Sequence, residues 1–284
     1  MAGNFVIQYM GREGSSAIIS ALSAQMGVNV PVFEDLDDYK FLNHFTVQDY
    51  PRVLDDIFST GAYAGPCTQQ ESLFQLPKGQ KPVVTGFKWR VNGELSEIAD
   101  VFLRHDVTLF ALQRRDFLSY VSSIYVHRYG NELVSSMDVP MHPHFDKAHN
   151  TKHGADAAQR EKLNQLLFPL DKKKFFAACK KALKMRHSQT AISRRLYRKG
   201  VTVKAMYYED FDADPQAFVT QMLAGLGHDI HGDYDPKCKF EKVHKTPLAQ
   251  RIEGIKKATR SWRYRYYEHN YQSTARVTES FYKR

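Results

Sequence analysis

The sequence predicts an α/β protein: a parallel β-sheet flanked by helices, folded as a single domain over residues 1–284. Three observations carry that prediction. Short runs rich in β-branched and aromatic residues alternate along the chain with segments of helical period, the order that builds parallel sheets. These runs are apolar almost throughout rather than at every second position, as strands covered on both faces must be. Hydrophobic residues make up 43% of the chain, enough for a sizeable core, and no internal repeat or low-complexity tract marks a boundary.

The predicted strands are Phe5–Met10, Val28–Phe33 (the weakest of the set), Val83–Lys88, Val107–Gln113 and Val201–Tyr207. Helical patterns cover Ser15–Met26, Phe117–Tyr129 and Gln216–Leu226. A longer one covers Asp171–Lys199, where Phe175, Cys179 and Leu183 recur at four-residue spacing on one face. Lys and Arg crowd its other face, which reads as a solvated surface. Two stretches read as irregular. Asp56–Lys81 holds Gly61, Gly65, Pro66, Pro77 and Gly79, a connection of the kind that covers a site. Asn131–Asp156 is polar, carries Pro140 and Pro143, and reads as an insertion between the helix after the fourth strand and the long basic helix.

The formal net charge of +9 points to an anionic partner: nucleic acid, a lipid surface or a polyanionic small ligand. Cys67, Cys179 and Cys238 are odd in number and scattered, fitting neither a disulfide framework nor a zinc site. No apolar run approaches the ~20 residues that span a bilayer. The opening Met1–Tyr9 lacks the basic-then-apolar pattern of a signal peptide. The expectation is a cytoplasmic protein.

Three short segments carry chemistry. The first strand runs into Gly11-Arg12-Glu13-Gly14-Ser15-Ser16 and then an apolar helix. A glycine turn between strand and helix aims backbone N–H groups and the positive helix end at one point, which makes an anion site. Ser15 and Ser16 add hydroxyls, and Arg12 adds a forked cation. Glu13 is an acidic neighbour that could point to solvent. The turn lacks the Lys of a nucleoside-triphosphate loop. A plain capping serine after a tight turn would look the same. The second segment sets Arg114 and Arg115 at the C-terminal end of a strand, where open α/β sheets bind ligands, with Ser123 on the next helix. The third, Tyr207–Phe218, leads from a strand end through Asp214-Pro215 into a helix.

On these residues the chain resembles the sulfotransferases that use 3'-phosphoadenosine-5'-phosphosulfate (PAPS), in particular their bacterial carbohydrate-directed and nodulation-type branches. Arg12-Glu-Gly-Ser-Ser looks like the family's 5'-phosphosulfate loop. Arg115 and Ser123, eight positions apart, are similar to its 3'-phosphate element. Tyr208-Glu-Asp-Phe-x-Ala-Asp-Pro and Thr85-Gly-Phe-Lys88-Trp match two further landmarks, in the family's order, over about Met1–Gly227. The Gly-x-x-Gly-Asp-Trp-Lys loop of the cytosolic animal enzymes is missing; Lys256–Arg265 stands in that part of the chain. The resemblance implies a P-loop-NTPase-like sulfotransferase fold, PAPS as donor, adenosine 3',5'-bisphosphate (PAP) as product, and no metal. Arg12, Gly14, Ser15 and Ser16 would hold the donor's 5' end, and Arg115 and Ser123 its 3'-phosphate.

In the branches that use a glutamate base, that residue follows the first helix at the end of the next strand. Glu34 has that placement, with Asp35 and His44 as substitutes. Lys88 is the candidate for charge near the bridging oxygen, although a strand-end lysine lying along apolar surface would look the same. The acceptor implied is a hydroxyl on a carbohydrate or a lipid-linked molecule, with segment 131–156 as the acceptor-side loop; oligomeric state is not encoded in any motif. Two other readings compete. A P-loop kinase would share the first turn, and the alternation of cations with Trp262, Tyr264, Tyr266 and Tyr267 in the basic, aromatic segment 245–284 fits a nucleic-acid binder. Neither needs the ordered pair of anion elements, so no nucleic-acid partner is expected. His149 and His153 have the i, i+4 spacing of a zinc helix without the glutamate between them.

Overall fold

The computed structural model describes residues 3–11, 13–32, 36, 46–63, 82–133, 165–228 and 247–282. Its strands are β1 (Asn4–Gln8), β2 (Val28–Asn29), β3 (Val84–Trp89), β4 (Val107–Gln113) and β5 (Val203–Tyr207), all parallel, in the order β2-β3-β1-β4-β5. Its helices are α1 (Ser15–Ser23), α2 (Tyr50–Thr60), α3 (Leu95–Arg104), α4 (Phe117–Leu133), α5 (Lys172–Arg198), α6 (Tyr208–Ala213), α7 (Pro215–Ala224), α8 (Ile255–Thr259) and α9 (Trp262–Tyr282). The protein is an α/β fold with a five-stranded parallel sheet flanked by helices. Its internal contacts divide it into two compact units. Unit 1 is Met1–Gln113, Gln189–Lys239 and Thr278–Arg284; unit 2 is Arg114–Ser188 and Phe240–Val277.

Unit 1 holds the whole sheet. The register sets Val6 beside Phe87 on one side and Leu109 on the other, with Val203 beside Leu109. These four residues lie abreast on one face and are buried with Leu54 and Ile57 of α2, Ile98 and Phe102 of α3, and Leu196 of α5. Side chains alternate across a sheet, so Phe5, Ile7, Lys88 and Phe110 belong to the opposite face. There Phe5 and Phe110 meet edge to face, with ring centres 6.5 Å apart. Gly86, beside Phe5 in the register, has no side chain because a Cβ there would run into the Phe5 ring.

Unit 2 is built from helices. Phe117, Tyr120, Tyr125, Phe175, Cys179, Tyr264 and Tyr271 are buried together, with Phe175 and Tyr264 stacked at 6.3 Å. The predicted stripe of α5 lies in this core. Burial pushes the Cys179 thiol up to about 12, so at neutral pH it is a packing group and not a nucleophile.

The five predicted strands are all present, with ends moved by a few residues and β2 reduced to Val28–Asn29. Several helices depart from expectation, among them the short α6 and α8, which were not anticipated. Tyr50–Thr60 takes in the first five residues of the connection expected from Asp56, because Pro51 opens a helix there and Gly61, at φ 69°, ends it. Leu95–Arg104 and Trp262–Tyr282 were not anticipated as helices. α4 continues to Leu133, into the segment expected to be irregular from Asn131; most of that segment lies outside the described residues.

Candidate functional site

The turn from β1 to α1 is shaped by glycine. Gly11 and Gly14 have φ of 93° and 80°, left-handed values that L side chains rarely adopt. Gly14 is the residue before α1, and no side chain caps the helix there. The first turn of α1 holds no acidic residue, and the N–H groups of Ser15 and Ser16 precede the first intrahelical bonds, which Ala17 and Ile18 make to the Gly14 carbonyl. Ser15 is buried and Ser16 half-buried. The helix thus presents open N–H groups and its positive end. Glu13 does not point to solvent. It is 2% exposed, and its carboxylate accepts the Met10 N–H at 2.7 Å, bracing the turn from inside.

Two other elements close on this turn within unit 1. Lys88 of β3 is 2% exposed, and its ammonium donates to the Ser16 hydroxyl at 2.7 Å. The same ammonium and the Arg90 guanidinium stand 5.6 and 5.4 Å from the centre of the Tyr9 ring. Tyr208, the first residue of α6, lays its ring against Gly14, where any Cβ would collide with it. The Tyr208–Pro215 motif has its own local work as well. Asp214 caps α7 by accepting the Ala217 N–H at 2.9 Å, and Pro215 opens the helix.

The turn that opens α4 belongs to unit 2. Asp116 caps this helix: its carboxylate accepts the Ser119 N–H at 3.0 Å and the Ser119 hydroxyl at 2.5 Å. Three side chains hold the two carbonyls before it. Arg186 Nη2 and the Tyr271 hydroxyl donate to the Arg114 carbonyl at 2.7 and 2.8 Å, and Gln272 donates to the Arg115 carbonyl at 2.8 Å. Arg115 is exposed, and Ser123, two turns into α4, is half-buried. Its neighbour Ser122 is fully buried, and its hydroxyl has no partner among the described residues.

Arg186 is a residue that sequence reading passed over. It lies on the helix whose basic face was expected to be solvated, yet it is 2% exposed. Its guanidinium stacks 4.4 Å from the Tyr271 ring centre. Its Nε and Nη1 have no acceptor, and no carboxylate pairs with it, among the described residues. The signal was faint: one cation among many on α5.

Arg12, Glu34, Asp35 and His44 lie outside the described residues, as do His149 and His153. Among the described residues no group of three metal-binding side chains is gathered. A cavity of about 300 Å³ at the start of α3 is lined by Glu94, Ser96, Arg195, Arg198 and Lys199. It differs from the β1–α1 turn because a carboxylate, Glu94, is part of its lining. Glu94 accepts from the Ser96 hydroxyl and N–H, which hold its pKa below the usual range. No helix among the described residues is long and apolar enough to cross a membrane.

No protein-family model matches the chain, and no curated protein does. Among solved structures it is similar to the sulfotransferase from Alicyclobacillus acidocaldarius, with 12% identity and a TM-score of 0.47 over 100% of this chain and 99% of that one. It is also similar to the sulfotransferase domain from the curacin biosynthetic pathway, with 11% identity and a TM-score of 0.39 over 88% and 83%. At these values the likenesses fix neither family nor activity.

Proposed function

We propose that the protein transfers a sulfuryl group from PAPS to a hydroxyl of a carbohydrate or lipid-linked acceptor. The observation that carries this reading is the β1–α1 turn: a helix start without a side-chain cap, braced by Glu13, covered by Tyr208 and joined to a buried lysine through Ser16. Such a turn fits the 5' end of an anionic donor. Arg12, Gly14, Ser15 and Ser16 are assigned to that end, and Arg115 and Ser123 to the 3'-phosphate.

Positioning and electrostatics dominate group transfers of this kind. The acceptor oxygen forms a bond to sulfur as the bond from sulfur to the 5'-phosphate oxygen breaks, and PAP leaves. Lys88, already beside Ser16, supplies positive charge where the leaving phosphate gains negative charge. Glu34 takes the acceptor's proton, with Asp35 or His44 as substitutes. In this proposal no metal takes part.

Calorimetry tests the donor directly. PAP should bind about tenfold or more tightly than 5'-AMP, the worth of a charge-assisted contact in a formed site. Equal affinities would remove the support for a 3'-phosphate reader. In thermal shift, PAP should stabilise the protein where ATP with Mg²⁺ or an oligonucleotide does not; stabilisation by one of those instead would favour a kinase or a nucleic-acid binder. Once labelled PAPS and an acceptor panel show transfer, Glu34→Gln should lower turnover by roughly 10²–10⁴-fold with PAP binding kept. Near-normal turnover would move the role to Asp35 or His44.

A further inference from the structure

The positive charge of this chain is concentrated. Unit 2 holds 23 of the 40 Lys and Arg residues but only 10 of the 31 Asp and Glu, so the net positive charge lies in this unit. Within it, the segment Gly254–Tyr267 contains five basic residues and no acidic one. Lys256, Lys257, Arg260, Arg263 and Arg265 are all exposed.

Two aromatic residues stand among these cations without cover. Trp262 is 79% exposed and Tyr266 56%. Their i, i+4 spacing on α9 puts both on one stripe, opposite the side where Tyr264 and Tyr271 are buried. The Arg263 guanidinium lies 4.8 Å from the Phe176 ring centre, joining the start of α9 to α5. Lys172, Lys180 and Lys184 are exposed and recur with Phe176 at four-residue spacing, so they extend the same positive field. No acidic residue occurs anywhere in α5.

We infer that this face of unit 2 docks on an anionic bilayer surface. An indole and a phenol on a convex helical stripe suit the headgroup layer, where such rings settle with one edge wet. The surrounding Lys and Arg side chains reach anionic headgroups while their stems lie along the apolar ones. A single nucleic-acid strand calls for a groove that tracks the backbone and offers ring faces to successive bases, whereas these rings project outward from a helix. This inference uses none of the residues assigned to PAPS under the proposed function, and vesicle binding tests it without turnover.

The chain carries its own probe. Of its two tryptophans, Trp89 is fully buried in unit 1 and Trp262 is the exposed one, so a change in emission or acrylamide quenching on docking reports on Trp262. The full chain should sediment with phosphatidylcholine vesicles that contain phosphatidylglycerol, with a blue shift and reduced quenching, and not with phosphatidylcholine alone. Binding should weaken as salt rises. Trp262→Ala should cut vesicle partitioning roughly tenfold, and Arg260→Gln or Arg265→Gln about fivefold each, one surface cation's worth. These side chains are exposed, so the variants should keep the parent melting temperature. Absence of sedimentation with anionic vesicles at low salt would overturn the inference. So would equal binding to the neutral vesicles, or Trp262-dependent binding of a single-stranded oligonucleotide without vesicle binding.

Discussion

The turns that open α1 and α4 begin their helices in opposite ways. At α1 the preceding residue is a left-handed glycine and no side chain caps the helix; at α4 the Asp116 carboxylate occupies the helix start. A helix end can take up one negative charge at low cost. At α1 that place is open to a ligand, whereas at α4 the protein has filled it itself. A phosphate near α1 can therefore be held by backbone N–H groups, and one near α4 must be held by side chains. This matches the sequence pattern, in which the first element sets glycines and serines around Arg12 and the second offers Arg115 and Ser123. The carbonyls of Arg114 and Arg115 are pinned by Arg186, Tyr271 and Gln272, so the backbone from which Arg115 projects is held in place.

The largest effect expected is at the backbone-built turn. Gly14→Ala forces a left-handed conformation on an L residue and drives its Cβ into Tyr208. The cost should be about 2–5 kcal/mol, from strain and overpacking together, seen in chemical denaturation and accompanied by loss of both PAP and 5'-AMP binding. Adding Tyr208→Ala should give a total smaller than the sum of the two single changes, because they share one contact. Additive costs would mean that the ring does not press on the turn.

A middle-sized effect separates the two elements. Arg115→Ala and Ser123→Ala should each weaken PAP, by up to about tenfold or more for the arginine, and leave 5'-AMP unchanged. Arg12→Ala should weaken both nucleotides. If Arg115→Ala keeps full PAP affinity, the 3'-phosphate is read by Arg114 or by the basic segment Lys256–Arg265. The smallest effect is at the filled helix end. Asp116→Ala should cost about 1 kcal/mol of stability, the usual worth of a cap. Because it removes a negative charge from that end, PAP affinity should hold or rise. A fall would show that the cap also orders Arg115.

The sheet was legible because parallel strands covered on both faces leave apolar runs such as Phe5-Val6-Ile7. Even the weakest prediction, at Val28, rested on a real but two-residue strand. α3 carries a legible signal, since Leu95, Ile98, Ala99 and Phe102 follow a helical period and are all buried. α9 was hidden for a physical reason. Its buried Tyr264 and Tyr271 alternate with exposed Arg265 and Tyr266, so aromatic residues face both ways and blur the stripe. At the site, the strand–turn–helix pattern pointed to the glycine turn and the family resemblance to Lys88, but neither pointed to what joins them. The Lys88–Ser16 bond and the Tyr208 ring over Gly14 link residues far apart in sequence. Arg186 falls three residues beyond Leu183 on the Phe175–Cys179–Leu183 stripe, so a cation on the buried face was the faint signal it left among its exposed neighbours.

The strand order carries a consequence for synthesis. β1 is the central strand and is translated first, yet its partners are residues such as Gly86 of β3 and Thr108 of β4. The Asn4 side chain, which accepts the Thr85 N–H and donates to the His105 carbonyl, waits for the same two segments. At a ribosomal pace of roughly 5–20 residues per second, Phe5–Ile7 stays uncovered for on the order of 5–20 seconds. A slower ribosome lengthens that exposure. The yield of folded chain should therefore depend on translation speed and on chaperones that shield nascent apolar segments.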